Sequence, residues 1–228
     1  MFMNESVTNS LKEIKYIVFD FNGTLCDDSK IGWESCNHVL QEVYGLPVIS
    51  YERFLDTFGT PWTEFYAKNG VDTGKIDFAI HQDCYQKISA GLILQRLKLR
   101  SGILEVLKFL KERGFVLGVL SSRNTVDLTK DLKLLGVDHF FEAIVGENHL
   151  YEDGIRAAKK SDVLISKLGV VNCSEVVYVG DMDQDLHVAK NAGFVSVIMN
   201  GGWQSRARLE KLDTEHLFDS YEEFKKIF

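Results

Sequence analysis

The segment Tyr16-Ile17-Val18-Phe19-Asp20-Phe21-Asn22-Gly23-Thr24-Leu25 carries the clearest chemistry in this chain. An apolar run reads as a strand that ends in a carboxylate, and a Gly-Thr turn follows it. In open α/β sheets ligands bind outside the carboxyl ends of the strands, so Asp20 stands where it can attack an electrophile or hold a cation. Gly23 permits a tight turn whose backbone N–H groups aim at an anion. The competing reading of Asp20 on its own is a simple turn cap. Three later segments bear polar groups in related settings: Val116-Leu117-Gly118-Val119-Leu120-Ser121-Ser122-Arg123, the basic pair Lys159-Lys160, and Val177-Tyr178-Val179-Gly180-Asp181-Met182-Asp183-Gln184-Asp185.

The elements that must position these groups are legible as patterns. Residues 16–21, 115–121, 143–145, 176–180 and 195–199 read as buried parallel strands, mostly short β-branched runs without polar alternation. Helical stripes fall between them: Ile103-Val106-Leu107-Leu110; Val126-Leu128-Leu132-Leu135 closed by Gly136; Val163-Leu164-Lys167-Leu168 before Gly169; and 185–192 before Gly193. Strands alternating with helices predict βαβ units and a doubly wound parallel sheet, fold class α/β. The tail predicts a last short strand at 215–218, then a helix capped by Asp219 or Ser220. Between the first strand and the helix at 103 no strand is evident, and 33–44, 51–58, 62–68 and 75–90 read as helices. A connection of this length must carry its own structure, which predicts a helical insertion over the carboxyl edge of the sheet.

Asp-Phe-Asn-Gly-Thr-Leu resembles the first motif of the haloacid-dehalogenase superfamily, Asp-x-Asp-Gly-Thr-Leu. The resemblance implies that Asp20 is a nucleophile that attacks phosphorus and becomes an aspartyl-phosphate. The family's second motif, a Ser or Thr at a strand end, matches Ser121, with Ser122 and Arg123 beside the substrate. Gly23 and Thr24 fall in the phosphate-binding turn. The third motif is a lysine that stabilises charge on the phosphoryl group; Lys160 is preferred to Lys159, because it directly precedes a small-acidic-apolar helix start. The fourth, Gly-Asp-x-x-x-Asp-x-x-x-Ala-x-x-Ala-Gly, matches Gly180-Asp181, Asp185, Ala189 and Ala192-Gly193. It implies Mg²⁺ held by Asp20 and Asp181 and by the backbone carbonyl of Asn22, with Asp185 supporting the metal shell or orienting Lys160. Asp183 is the spare acid of this run, read as a helix first-turn residue.

The resemblance covers 14–27 and 100–228. It implies a Rossmann-like core from 1–28 and 97–228, with a helical cap at 29–96, similar to phosphoglycolate-phosphatase-like members. Trp33, Trp62, Phe65, Tyr66 and Arg53 could face a leaving group there, although packing within the cap is the stronger expectation for the aromatics. The substrate class implied is a small phosphorylated metabolite.

One residue departs from the pattern. The family's phosphatases carry their proton-transfer aspartate where this chain has Asn22. A carboxylate shuttles a proton and an amide does not. The departure is compatible with a slow phosphatase or one restricted to good leaving groups, with altered chemistry, with a non-catalytic homologue that binds Mg²⁺ and phosphorylated ligands, or with an engineered trapped variant. Retention of Asp20, Ser121, Lys160, Asp181 and Asp185 favours the phosphatase.

Bulk properties exclude other classes. The chain has 228 residues, 45% hydrophobic and 26% charged, with a net charge of −7. That balance argues against a nucleic-acid binder, and Arg206 and Arg208 read as solvated surface. No segment reaches the length of a bilayer span, and no signal peptide is evident. The four cysteines are scattered as expected for reduced structural thiols, which predicts a cytoplasmic protein; a monomer or homodimer is expected. The sequence shows no Gly-x-Gly-x-x-Gly after the first strand, no Walker A loop, no Ser-His-Asp arrangement and no histidine ligand spacing.

Overall fold

The structure, a computed structural model, describes residues 13–147, 160–214 and 216–228. Its centre is a six-stranded sheet in the order β3-β2-β1-β4-β5-β6, with every neighbouring pair parallel. The strands are β1 (Tyr16–Phe19), β2 (Val116–Asn124), β3 (Ala143–Glu147), β4 (Val176–Gly180), β5 (Val195–Met199) and β6 (Leu217–Phe218). The helices are α1 (Ser29–Glu42), α2 (Tyr51–Thr57), α3 (Trp62–Lys68), α4 (Phe78–Arg96), α5 (Ile103–Glu112), α6 (Thr125–Leu134), α7 (Lys160–Leu168), α8 (Asp183–Ala192), α9 (Arg206–Leu209) and α10 (Tyr221–Lys225). This is the doubly wound α/β architecture that the alternating pattern predicts.

Burial explains the central strands. Successive side chains on a strand point to opposite faces. Ile17 and Phe19 pack with Leu117, Val119, Val177 and Val179 against Ile103, Val106, Leu107 and Leu110 of α5. Val18, Leu120, Val176 and Tyr178 pack on the other face against Leu164 of α7 and Ala189 of α8. Both faces are covered, so the strands have no polar alternation.

The structure shifts several expected limits. β1 stops at Phe19, because Phe21 already belongs to a turn in which its carbonyl accepts the N–H groups of Thr24 and Cys26. β2 runs on to Asn124, whose side chain caps α6 through the Val126 N–H. Val126, expected in the core, is 61% exposed: it lies in the first turn, and the helix turns Leu128 and Leu132 inward instead. The last strand is only Leu217–Phe218; Glu215 lies outside the described residues, as does Lys159. Ser220 caps α10 by accepting the Glu223 N–H.

Helices α1 to α4 fill the expected strandless interval. They have an apolar cluster of their own, with Cys36, Val39, Leu40, Phe54, Phe65 and Tyr66 buried. Trp203, from the loop after β5, joins it and packs on Phe58 and Phe54 with ring centroids 4.7 and 5.6 Å away. Within the same segment Arg53 is used internally, donating to Lys68 O and Asn69 Oδ1. Trp33 donates its indole N–H to Ile49 O. Cys26, Cys36, Cys84 and Cys173 are all free thiols. No described helix is long and apolar enough to cross a membrane.

Candidate active site

β1 lies between β2 and β4, with Phe19 in register with Val119 and Val179. That register brings three strand ends together: Asp20 after β1, Ser121 near the end of β2, and Asp181 after β4. The Asp20 N–H still pairs with Val179 O at 2.8 Å, so its backbone is fixed by the sheet itself. One oxygen each of Asp20, Asp181 and Asp185 can be chosen so that all three lie within 4.8 Å of one another. Asp185 comes from the first turn of α8, where its Oδ2 accepts the N–H groups of Asp181 (3.0 Å) and Met182 (2.9 Å). Its other oxygen accepts the Tyr178 hydroxyl at 3.3 Å.

The electrostatics of this cluster are those of an anionic pocket short of positive charge. Asp20 is raised well above the usual carboxylate range, first by burial and then by Asp185 and Asp181; the Phe21 N–H and the Ser121 hydroxyl oppose the shift. Asp181 is pushed up to about 8, mainly by burial and Asp185, against hydrogen bonds from Trp203 and Thr24. Asp185 rises to about 6, mainly by burial. Three carboxylates in low dielectric repel one another, and a bound divalent cation inverts that cost. An all-oxygen set of carboxylates suits a hard cation such as Mg²⁺.

The residues around the cluster fall into distinct positions. Ser121 is 2% exposed, and Lys160 reaches its carbonyl with Nζ at 3.2 Å, from the start of α7. Ser122 is exposed. Thr24 is fully buried and donates its hydroxyl to Asp181 Oδ1 at 2.8 Å, so it braces a carboxylate. Arg123 pairs with Asp131 of α6 at 2.6 Å. Gly23 has φ +72°, and a Cβ there would lie 2.4 Å from Asp181 Oδ2, so the turn and the close approach both require glycine. Asp183 accepts from Gln204 (2.8 Å) and Arg208 (3.0 Å) and stands outside the carboxylate cluster. Arg208 also donates to the carbonyls of Asp56 and Phe58, so it ties α9 to the end of α2 and is not the solvated side chain its sequence context suggests. Arg206 does stay on the surface, paired with Glu210 and Asp219.

Four neighbours of the site escaped the sequence reading. Asp28 is 3% exposed and accepts from Asn22, Gly23 and Trp203. Trp203 donates its main-chain N–H to Asp181 Oδ2 at 2.7 Å. Arg100 donates to Gly23 O and Asn200 O, both at 2.6 Å, and so joins the turn after β1 to the loop after β5. Gln204 donates to Asp183 and to Phe58 O. In the sequence Asp28 looks like an ordinary helix cap. The only signal for Trp203 is a Gly-Gly-Trp run one residue after a buried strand.

The fold is thus a doubly wound parallel sheet with a carboxylate cluster at the ends of its central strands. The family model for haloacid dehalogenase-like hydrolases matches residues 17–199, and the chain belongs to that family. Among curated relatives, it is 24% identical over 208 residues to the pyrophosphatase PpaX of Halalkalibacterium halodurans, covering 91% of this chain and 94% of that one. Among solved structures, a haloacid dehalogenase-like hydrolase from Streptococcus pneumoniae superposes with a TM-score of 0.76 at 20% identity, over 93% of this chain and 97% of that one. A predicted phosphatase from Clostridium acetobutylicum also reaches 0.76, at 24% identity, with 93% and 97% covered.

Proposed function

We propose that this protein is a Mg²⁺-dependent phosphatase of small phosphorylated metabolites, working through an aspartyl-phosphate on Asp20 and slowed in its second step by Asn22. The observation that carries the reading is the convergence of Asp20, Ser121 and Asp181 from adjacent strands with Asp185 from the first turn of α8, and Lys160 reaching the same corner. Similarity to a curated pyrophosphatase supports a phosphorylated substrate.

In this reading Asp20 attacks phosphorus, the bond from phosphorus to the leaving oxygen breaks, and its electron pair stays on that oxygen. The Ser121 hydroxyl and the Lys160 ammonium hold the phosphoryl oxygens. Mg²⁺, when bound by Asp20, Asp181 and Asp185 and by the Asn22 carbonyl, neutralises the carboxylates and the phosphoryl charge. Water then attacks phosphorus of the aspartyl-phosphate, the bond from phosphorus to the Asp20 oxygen breaks, the Asp20 carboxylate is regenerated, and phosphate leaves carrying the protons of the water. Asn22 has no proton to give to the leaving oxygen and cannot accept one from that water. Substrates whose leaving group departs as a weak base are therefore favoured. Helices α1 to α4, as a cap at 29–96, would close over the site and exclude water.

The test is Mg²⁺-dependent release of phosphate from p-nitrophenyl phosphate. It should be abolished in Asp20→Ala. Calorimetric binding of the ester with no Asp20-dependent release would leave a binding protein in place of an enzyme.

A further inference from the structure

Asp28 occupies the N-cap position of α1, where an aspartate ordinarily accepts a backbone N–H of the first helical turn. It makes no such bond. Its carboxylate turns the other way, toward the turn after β1. There Oδ1 accepts the Gly23 N–H at 2.9 Å and the Trp203 indole N–H at 2.8 Å, while Oδ2 accepts Nδ2 of Asn22.

The carboxylate has little freedom to move. Trp203 is pinned against the glycines on either side: a Cβ on Gly32 would lie 2.2 Å from its ring, and one on Gly23 2.6 Å from it. Burial raises the Asp28 pKa, and the bonds from Asn22, Trp203 and Gly23 oppose that rise by favouring the ionised form, which is acceptor-only. Asn22 offers its NH₂ to this carboxylate. Its Oδ1, which accepts no hydrogen bond from the described residues, is the atom left free.

We propose that Asp28 is a positioning residue that sets the polarity of Asn22, binding its amide nitrogen and leaving its acceptor oxygen for the water that attacks the aspartyl-phosphate. The assignment rests on the phosphatase reading for its catalytic consequence, though not for its geometry. An amide oxygen orients the attacking water by accepting one of its hydrogens without removing a proton. That leaves slow but directed breakdown of the aspartyl-phosphate.

Two measurements test this. The first needs no activity. In a ¹H–¹⁵N spectrum of the Mg²⁺-loaded protein, the Asn22 side-chain amide, assigned by its loss in Asn22→Ala, should have a proton shifted downfield by its carboxylate partner. It should move upfield in Asp28→Asn. An Asn22 amide at the position of solvent-exposed asparagines in the unsubstituted protein would overturn the proposal even if Asp28→Asn failed to fold.

The second measurement is kinetic. In Asp28→Asn the amide nitrogen at 28 donates to Asn22 Oδ1 and reverses its polarity, so kcat should fall about tenfold, the worth of one hydrogen bond to a charged group. The fall should lie in phosphoenzyme breakdown, not in KM. In Asn22→Asp alone the new carboxylate faces Asp28 as a like charge. Adding Asp28→Asn gives it a donor, so the double variant should turn over about tenfold faster than Asn22→Asp. A double variant no faster than the single, or an Asp28→Asn protein with lower thermal stability and higher KM but unchanged kcat, would reduce Asp28 to a packing role. If the spectrum is as expected and no variant releases phosphate, the phosphatase reading fails while the positioning of Asn22 stands.

Discussion

Asp28 accepts the indole N–H of Trp203 at 2.8 Å across 175 positions of sequence. The same tryptophan donates its main-chain N–H to Asp181 at 2.7 Å and packs its ring at a tilt against Phe54 and Phe58. One side chain thus connects the carboxylate cluster, the turn after β1 and the helical segment. Replacing Trp203 with Phe keeps most of the ring and removes the indole donor. Leaving a buried charged acceptor one bond short costs about 1–3 kcal/mol, so the unfolding free energy from urea titration should fall by that amount, with a lower midpoint at unchanged m.

Gly32 tests the same packing from the other side. A Cβ there would lie 2.2 Å from the Trp203 ring, so Gly32→Ala has to displace the indole or shift α1. Overpacking of this kind costs about 1–3 kcal/mol. Thermal unfolding should show the loss, and Gly45→Ala, where no atom lies within 4 Å but φ is positive, should show only the smaller backbone penalty.

Asn22→Asp should raise steady-state turnover of p-nitrophenyl phosphate at least tenfold, toward the factor of about 10²–10⁴ that a positioned acid–base supplies. In the unsubstituted protein, stopped-flow mixing should show a burst of nitrophenol approaching one per active site, because phosphoryl transfer to Asp20 needs no proton from position 22 whereas breakdown does. Asn22→Asp should shrink the burst. Turnover that remains at background in that variant would count against the phosphatase.

The metal-free protein should lose stability as pH rises. Asp181 and Asp185 titrate near 8 and 6 in the fold, against 3.8 when unperturbed, and Asp20 is raised as well. Between about pH 4 and pH 8 the folded state therefore binds more protons than the unfolded state, and unfolding free energy falls with pH across that window. Calorimetry in a chelator should show a Tm that declines from pH 5 to pH 8. Added Mg²⁺ should raise Tm more at pH 8 than at pH 5, because binding requires the ionised carboxylates.

The sequence by itself determined much of this molecule. Central parallel strands are covered on both faces, so 16–19, 176–180 and 195–199 appear as largely apolar runs, and a carboxylate with a glycine close by marks where the first and fourth of the strands leave the sheet. Asp20 and Asp181 are legible for that reason, and the helical interval follows from the length of chain between β1 and α5. Local pattern was silent where partners are distant. Val126 belongs to an apolar stripe yet faces solvent, because the capping of α6 by Asn124 sets the roll of the helix. Asp28 has every mark of a helix cap; only the tertiary structure turns it toward Asn22, since the donors that hold it come from the turn after β1 and from the loop after β5. Those loops become neighbours through the parallel sheet order and through Arg100, which binds both, and no run of residues encodes that meeting.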